Sequence, residues 1–439
     1  MEKVLIITYY WPPSGGAGVQ RILKFVKYLP EFGIKPFIVT VNKDKASYPV
    51  LDETLERDIP KEAEVFRTDT FEPYELYSKL LGKKSIPTGF SNESNPGTFQ
   101  KFSRFIRGNF FIPDGRKGWI NFAFREACRI IEKENIKTVV TTSPPHSAQI
   151  VGLKLKKKYN LNWIADLRDP WTDIYYYNEF SHRKFAKEKD SNYEKDVLEN
   201  ADKIITVGKN LKEIFVKKSK KINPQKVFVI PNGFDEEDFK NKPIETDTEI
   251  KTENEFIITY TGTLAESYNP KVFFTALKKV TEKFKEIKFR LRFIGNPAAS
   301  VTDEINNLSL SGILKQIPTV THDKSVKYLL ESTILLLVIP ENKDSKGILT
   351  GKLFEYLAAA KPIICIGPKD GDAAEIINIC EAGKTFDRNE EAEVAVYLTE
   401  LIDKWKKDGT LKIRNRNFEK YSRKNQAKEL SEIILKFQK

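Results

Sequence analysis

Three short stretches carry residues whose types and spacing suit chemistry. "PPSGGAGVQR" (12–21) sets Gly15, Gly16 and Gly18 between the apolar run "KVLIITYYW" and a helical pattern. Such a turn lets backbone N–H groups and the positive helix end close on an anion, because no Cβ keeps a phosphate away. The plainer reading is a tight strand-to-helix turn that holds nothing. "SPPHSAQ" brings His146 to the end of another apolar strand, where an imidazole either works on a ligand or packs as a local cap. "DLRDPWTD" places Asp166, Arg168, Asp169 and Trp171 at the end of a third. There Asp169 orients an acceptor hydroxyl, or the charges form an ion pair that braces the loop. His182, amid "NEFSHRKFAKEK", is expected to be exposed.

Several familiar chemistries fit poorly. A dinucleotide fingerprint needs an acidic end to the second strand, and here that strand ends in Val41, Asn42 and Lys43. "GILTGKLF" is one residue short of a phosphate-binding P-loop and has Leu353 where Ser or Thr belongs. Asp370 and Asp372 resemble the D-x-D of metal-dependent transferases. However, Asp372 with Glu375 reads better as a helix-capping box, so no obligatory metal or other cofactor is expected. No Ser-His-Asp or Cys-His arrangement is legible. The three cysteines, Cys128, Cys365 and Cys380, are scattered without ligand spacing, which fits a reducing cytoplasm better than a disulfide scaffold. The net charge of +12 points to acidic partners or to a lysine-rich soluble surface. The lysines are spread out and form no recognisable nucleic-acid module, so no nucleic-acid partner is expected.

These residues need elements to hold them. In 439 residues, 40% of them hydrophobic, there is room for two or three cores. Continuous apolar runs alternate with helical patterns: "KVLIITYY", "KPFIVTVNK", "VFRT", "KTVVTTS", "NWIADLRD", "ADKIITVG" and "KVFVIPNG" as strands. Their lack of polar alternation implies parallel pairing with both faces covered. The polar stretch "GFDEEDFKNKPIETDTEIKTENE" reads as a linker. The alternation then restarts with "FIITYTGTL", "FRLRFIG", "TILLLVIP" and "KPIICIGP". The expected class is α/β, with two doubly wound units in tandem: 1–237, and 238–420, with a last helix at about 421–439 packing back on the first. "KVLIITYYW" is read as the first strand rather than a leader, and no run approaches the ~18 apolar residues of a membrane span.

Residues at about 71–117 break the pattern. They mix aromatics with Lys83, Lys84, Lys101, Arg104, Arg107, Arg116 and Lys117, and are read as an insertion into the first unit. Two readings stay open. The segment lies on an anionic membrane surface or grips an anionic acceptor, or it is an ordinary excursion with solvated lysines.

Taken in order, "YYWPPSGGAGVQR", "TTSPPHSAQ", "ADLRDPW", "VIPNGFD", "YTGTL" and "TGKLFEYLAAAKPIICIGP" resemble glycosyltransferase family 4, retaining enzymes of the two-domain GT-B fold. The resemblance spans almost the whole chain. It implies two Rossmann-like domains facing across a cleft, with a nucleotide-diphosphate sugar on the second and a carbohydrate or lipid-linked acceptor on the first. It implies that Gly15, Gly16 and Gly18 offer amides to the diphosphate or sugar, and that Gly262 lets the backbone approach the donor. Thr350, Gly351 and Lys352 would face the diphosphate, Glu355 the ribose hydroxyls, and His322 the base. His146 would lie near the reacting sugar, with Arg168 and Asp169 beside it.

The sequence departs from the family pattern at Gly347, where a first glutamate is common. It departs again after "YTGTL", where only Lys271 stands for a basic pair, leaving the clamp to Lys352 or Arg168. The expected activity is sugar transfer with retention in bacterial surface-polysaccharide synthesis, at the inner face of the membrane or in the cytoplasm. The departing diphosphate would take the acceptor proton. A nucleotide-sugar epimerase of the same fold, or an inactive glycan- or membrane-binding scaffold, are the alternatives.

Overall fold

A computed structural model describes residues 1–48, 50–72, 98–174, 177–240, 255–411, 413 and 416–438. Lys83 and Lys84 of the expected insertion lie outside the described residues, as does 241–254 of the expected linker. The described chain forms two compact units, Met1–Pro231 with Arg423–Lys439, and Asn232–Ser422.

The first unit is built on seven parallel strands. They are β1 (Glu2–Ile7), β2 (Ile34–Val41), β3 (Glu64–Thr68), β4 (Thr138–Ser143), β5 (Asn162–Leu167), β6 (Lys203–Thr206) and β7 (Val227–Val229). Their spatial order is β3-β2-β1-β4-β5-β6-β7. Strand β1 shows why a continuous apolar run is needed. Val4 and Ile6 pack one way, against the helix Ala17–Tyr28; Leu5 and Ile7 pack the other way, against the helix Ile120–Glu134. Each buried aliphatic side chain stabilises the unit by about 1.5–3 kcal/mol relative to exposure. The terminal helix Arg423–Leu435 adds Leu430, Ile433 and Ile434 to the first of these cores. The order of strands reverses between β1 and β4, and in open α/β sheets ligands bind in the crevice outside the strand ends at that point. The glycine turn follows β1, His146 follows β4, and Arg168 with Asp169 follows β5.

The second unit has six strands: β8 (Glu255–Thr261), β9 (Lys288–Ile294), β10 (Leu314–Ile317), β11 (Ile334–Val338), β12 (Ile363–Ile366) and β13 (Gly383–Phe386). They are ordered β10-β9-β8-β11-β12-β13. β10 and β13 go beyond the four strands the sequence analysis names here. Both are edge strands of four residues, and β10 buries none of them fully, so neither shows a continuous apolar run. The chain after Pro231 packs with this unit. Phe234 N–H donates to the Tyr421 carbonyl at 3.1 Å, and its ring stacks on Phe418. The reversal point lies between β8 and β11, beside "TGTL" and the helix Gly351–Ala359.

Candidate active site

In the first unit, the glycine turn divides its labour. Gly15 N–H donates to the Val50 carbonyl at 2.9 Å and is not available to a ligand. Gly16, with φ +93°, is the N-cap of the helix Ala17–Tyr28, a conformation that a Cβ would strain. The N–H groups of Gly16 and Gly18 then open the helix without a backbone acceptor among the described residues. A helix N-terminus in this state attracts an anion.

Arg168 is a brace. Its Nε donates to the Ser143 carbonyl at 2.9 Å, Nη1 to Gly18 at 2.6 Å and Nη2 to Pro144 at 2.8 Å, tying together the loops after β1, β4 and β5. A Cβ at Gly18 would lie 3.1 Å from Nη1, so the braced guanidinium would have to give way by a few tenths of an ångström. The expected diphosphate clamp therefore does not fall to a free guanidinium at Arg168. Asp166 belongs to a second brace. It accepts Arg21 Nη2 at 2.9 Å and Thr142 Oγ1 at 2.7 Å, with both charged side chains fully buried. Arg21 also donates to the carbonyls of Ile230 and Pro231. Of the alternatives for "DLRDPW", Asp166 takes the loop-bracing one. Asp169 lines the cavity described next, and burial raises its carboxyl above the usual range while the Arg168 charge opposes that.

A cavity of about 300 Å³ opens beside these loops. His146 lines it, stacked flat on Trp171 with ring centroids 4.2 Å apart, and its Nδ1 is buried without a hydrogen-bond partner. Burial, reinforced by the Arg168 charge, pulls its pKa down to about 3, so the imidazole is neutral. The helix Ser147–Lys158 behind it is capped from a distance. Asp114 accepts Ser147 N–H at 2.7 Å and Ser147 Oγ at 2.8 Å. The cavity's far wall comes from the expected insertion, through Arg107 and Phe111. His182 is not an exposed surface residue. It is half-buried, lines the same cavity and stacks on Tyr177 at 4.2 Å, because the turn Tyr177–Phe180 folds it inward.

The second unit gathers most of its candidates at one helix end. Thr350 is the N-cap of Gly351–Ala359, yet its side chain makes no capping bond and Oγ1 is buried with no partner. The N–H groups of Gly351 and Lys352 have no backbone acceptor among the described residues. Lys352 Nζ lies over the Tyr260 ring at 4.2 Å and donates to the Tyr260 hydroxyl at 2.6 Å. Burial lowers its pKa to about 8, with Glu355 pulling the other way. Gly262, at φ +90°, passes beneath that lysine; a Cβ would meet Lys352 Cε at 2.8 Å. One turn along the helix, Glu355 stands 3.8 Å from His322 Nδ1, and His322 Nε2 meets Asp238 at 3.1 Å. Lys271 is not part of this group. It is exposed and pairs with Glu304 at 3.5 Å. Asp372 is the first residue of the helix Asp372–Ile379 rather than its cap, because Gly371 takes the extended cap conformation. Asp370 is an exposed partner of Lys346.

Arg21, Asp114, Asp190, Asp238 and Tyr260 are site residues that the sequence did not mark. Arg21 lies inside the quoted glycine stretch, and Tyr260 opens the "YTGTL" stretch, so proximity was the available signal. Asp190 and Asp238 sit in charge-rich runs that read as solvated surface, and nothing in their spacing marks them.

Two parallel-sheet α/β units, each with an open helix N-terminus beside its strand reversal, define the GT-B class. Residues 88–238 match the family described as Glycosyltransferase Family 4, and residues 241–425 match Glycosyl transferases group 1. The chain belongs to these glycosyltransferases. The fold is similar to that of a glycosyltransferase from Rickettsia africae ESF-5, at 19% identity and TM-score 0.61, covering 100% of this chain and 99% of that one. It is also similar to the lipopolysaccharide outer core galactosyltransferase WaaB, at 12% identity and TM-score 0.56, covering 100% of both chains. A third is the structure described as trehalose-6-phosphate from E. coli bound with UDP-2-fluoro glucose, at 13% identity and TM-score 0.58, covering 99% and 96%. No curated protein sequence matches the chain. No helix among the described residues is long and apolar enough to cross a membrane.

Proposed function

We propose that the chain transfers a sugar from a nucleotide-diphosphate donor, held by the second unit, to a glycan or lipid-linked glycan acceptor taken up by the first. The transfer retains anomeric configuration and serves the synthesis of a bacterial surface polysaccharide. The observation that carries the donor half is the tip of the helix Gly351–Ala359. It combines an orphaned Thr350 hydroxyl, unbonded amides and the Lys352 ammonium. The hydroxyl and the amides lack partners that a diphosphate supplies, the ammonium, which donates to the Tyr260 hydroxyl, adds positive charge, and each gains as negative charge builds on the leaving group. Glu355, one turn on, would accept the ribose hydroxyls.

The acceptor half rests on the first unit's cavity, which is lined by aromatic faces and a neutral imidazole. A neutral His146 positions or hydrogen-bonds a hydroxyl rather than delivering charge. The departing diphosphate then takes the acceptor proton, and the protein supplies geometry and charge stabilisation. WaaB's description as a lipopolysaccharide galactosyltransferase favours the surface-glycan reading. So does the basic, aromatic character of the residues around Arg107 and Phe111, which also suits an anionic membrane surface.

A thermal-shift screen against uridine, guanosine, adenosine and thymidine diphosphate sugars tests the reading, since a ligand at about 100 times its Kd adds roughly 2.7 kcal/mol. One donor class should stabilise the wild type, and Glu355→Ala should abolish that shift. An unchanged shift in Glu355→Ala contradicts the assignment. Epimerised donor formed without any acceptor would replace transfer with epimerisation.

A further inference from the structure

One carboxylate on the wall of the first unit's cavity has no part in the reading above. Asp190 lies in the helix Lys184–Asn200 and is 3% exposed. Its Oδ1 accepts Trp171 Nε1–H at 2.9 Å, and its Oδ2 accepts the Tyr177 hydroxyl at 2.9 Å. Each of those rings carries an imidazole on its face. Trp171 stacks on His146 with 9° between planes, and Tyr177 stacks on His182 with 16°. All five residues line the same cavity.

We propose that Asp190 is a positioning residue that sets both imidazoles through Trp171 and Tyr177, and so fixes the acceptor-side wall of the cavity. The proposal rests on the reading of this cavity as the acceptor site. The geometry is specific. An indole has one polar N–H and a phenol one hydroxyl, so anchoring those atoms fixes how each ring lies. An imidazole stacked within 4.2 Å must follow its ring. The carboxylate offers an acceptor at each oxygen, which is what two donors arriving from one segment require. Burial pushes the Asp190 carboxyl up to about 7, the two hydrogen bonds pull it back, and Asp114 and Glu194 add to the rise. One turn along the same helix, Glu194 accepts from Thr172 and from Lys218 Nζ. The segment is therefore held at a second point, and loss of Asp190 alone should free the rings without unfolding the unit.

The chain contains three histidines, so isotope labelling of histidine in the full chain gives three imidazole signals, with His322 of the second unit as internal control. Asp190→Leu fills the volume but accepts nothing, and should move the His146 and His182 signals while leaving His322 in place. Asp190→Asn should restore both, because its carbonyl still accepts from the indole and its amide donates to the phenol oxygen. Tyr177→Phe keeps the ring and removes only the hydroxyl, and should move His182 alone. Wild-type signals for both histidines in Asp190→Leu, or an unmoved His182 in Tyr177→Phe, overturn the proposal. Turnover measured alongside should fall at least about tenfold in Asp190→Leu at unchanged donor affinity, since small misplacements at a reacting centre cost one to two decades. Displaced histidine signals with wild-type turnover would contradict the acceptor reading, not the positioning role.

Discussion

The strand ends of the two units share a topology and differ in how they are finished. In the first, Arg168 and Arg21 answer the carbonyls and carboxylate that the loops expose, and stacked rings cover the rest. In the second, Arg388 does a similar job at the margin, donating to the carbonyls of Asn269 and Ile339. The helix tip at Thr350 to Lys352 is nevertheless left with an orphaned hydroxyl and a lysine whose proton burial has loosened. The first unit still leaves the helix-opening amides of Gly16 and Gly18 unbonded, but its buried imidazole is neutral, whereas the second adds a lysine to its open helix end. The same topology thus carries different electrostatics in the two units.

Breaking the closure of the first unit should have the largest effect. Arg21→Leu leaves Asp166 buried without its ion-pair partner, and such losses cost about 3–5 kcal/mol. Denaturant unfolding should show that loss. A change below about 1 kcal/mol would mean that the Arg21–Asp166 pair does not hold the loops. A smaller effect is expected from filling the open site. Gly262→Ala puts a methyl 2.8 Å from Lys352 Cε on a residue at φ +90°, where a side chain costs about 1–2 kcal/mol. Diphosphate affinity should drop about tenfold and unfolding stability should fall by about 1–2 kcal/mol, and calorimetry reads both. Wild-type affinity in this variant would show that the lysine need not sit where the structure puts it.

Much of this was legible in the sequence, for physical reasons. The buried parallel strands announced themselves as uninterrupted apolar runs, because both of their faces are covered. Gly16 fell in a turn between strand and helix that needs glycine, while Gly262 and the Thr350–Lys352 helix start were marked only by the family resemblance. The edge strands β10 and β13 carried no such signal, because short strands with exposed side chains look like loops. Division of labour among neighbours was also invisible. Nothing in "SGGAG" shows that Gly15 bonds Val50 while Gly16 stays open, and nothing in "DLRD" separates the two braces. The turn of His182 into the cavity and the double role of Asp190 depend on contacts between segments distant in sequence or in helical phase.

The central claim is that Lys352, as a cation at the helix tip, holds the donor's diphosphate. The most direct test is the affinity of a nucleoside diphosphate as a function of pH. Lys352 has a free-state pKa of about 8, below the lysine norm, and a bound anion raises it again. Affinity should therefore be full below pH 8 and fall as pH rises through about 8, approaching tenfold per unit, while Lys352→Met binds weakly and without that dependence. Equal, pH-independent affinity in the wild type and Lys352→Met would contradict the account.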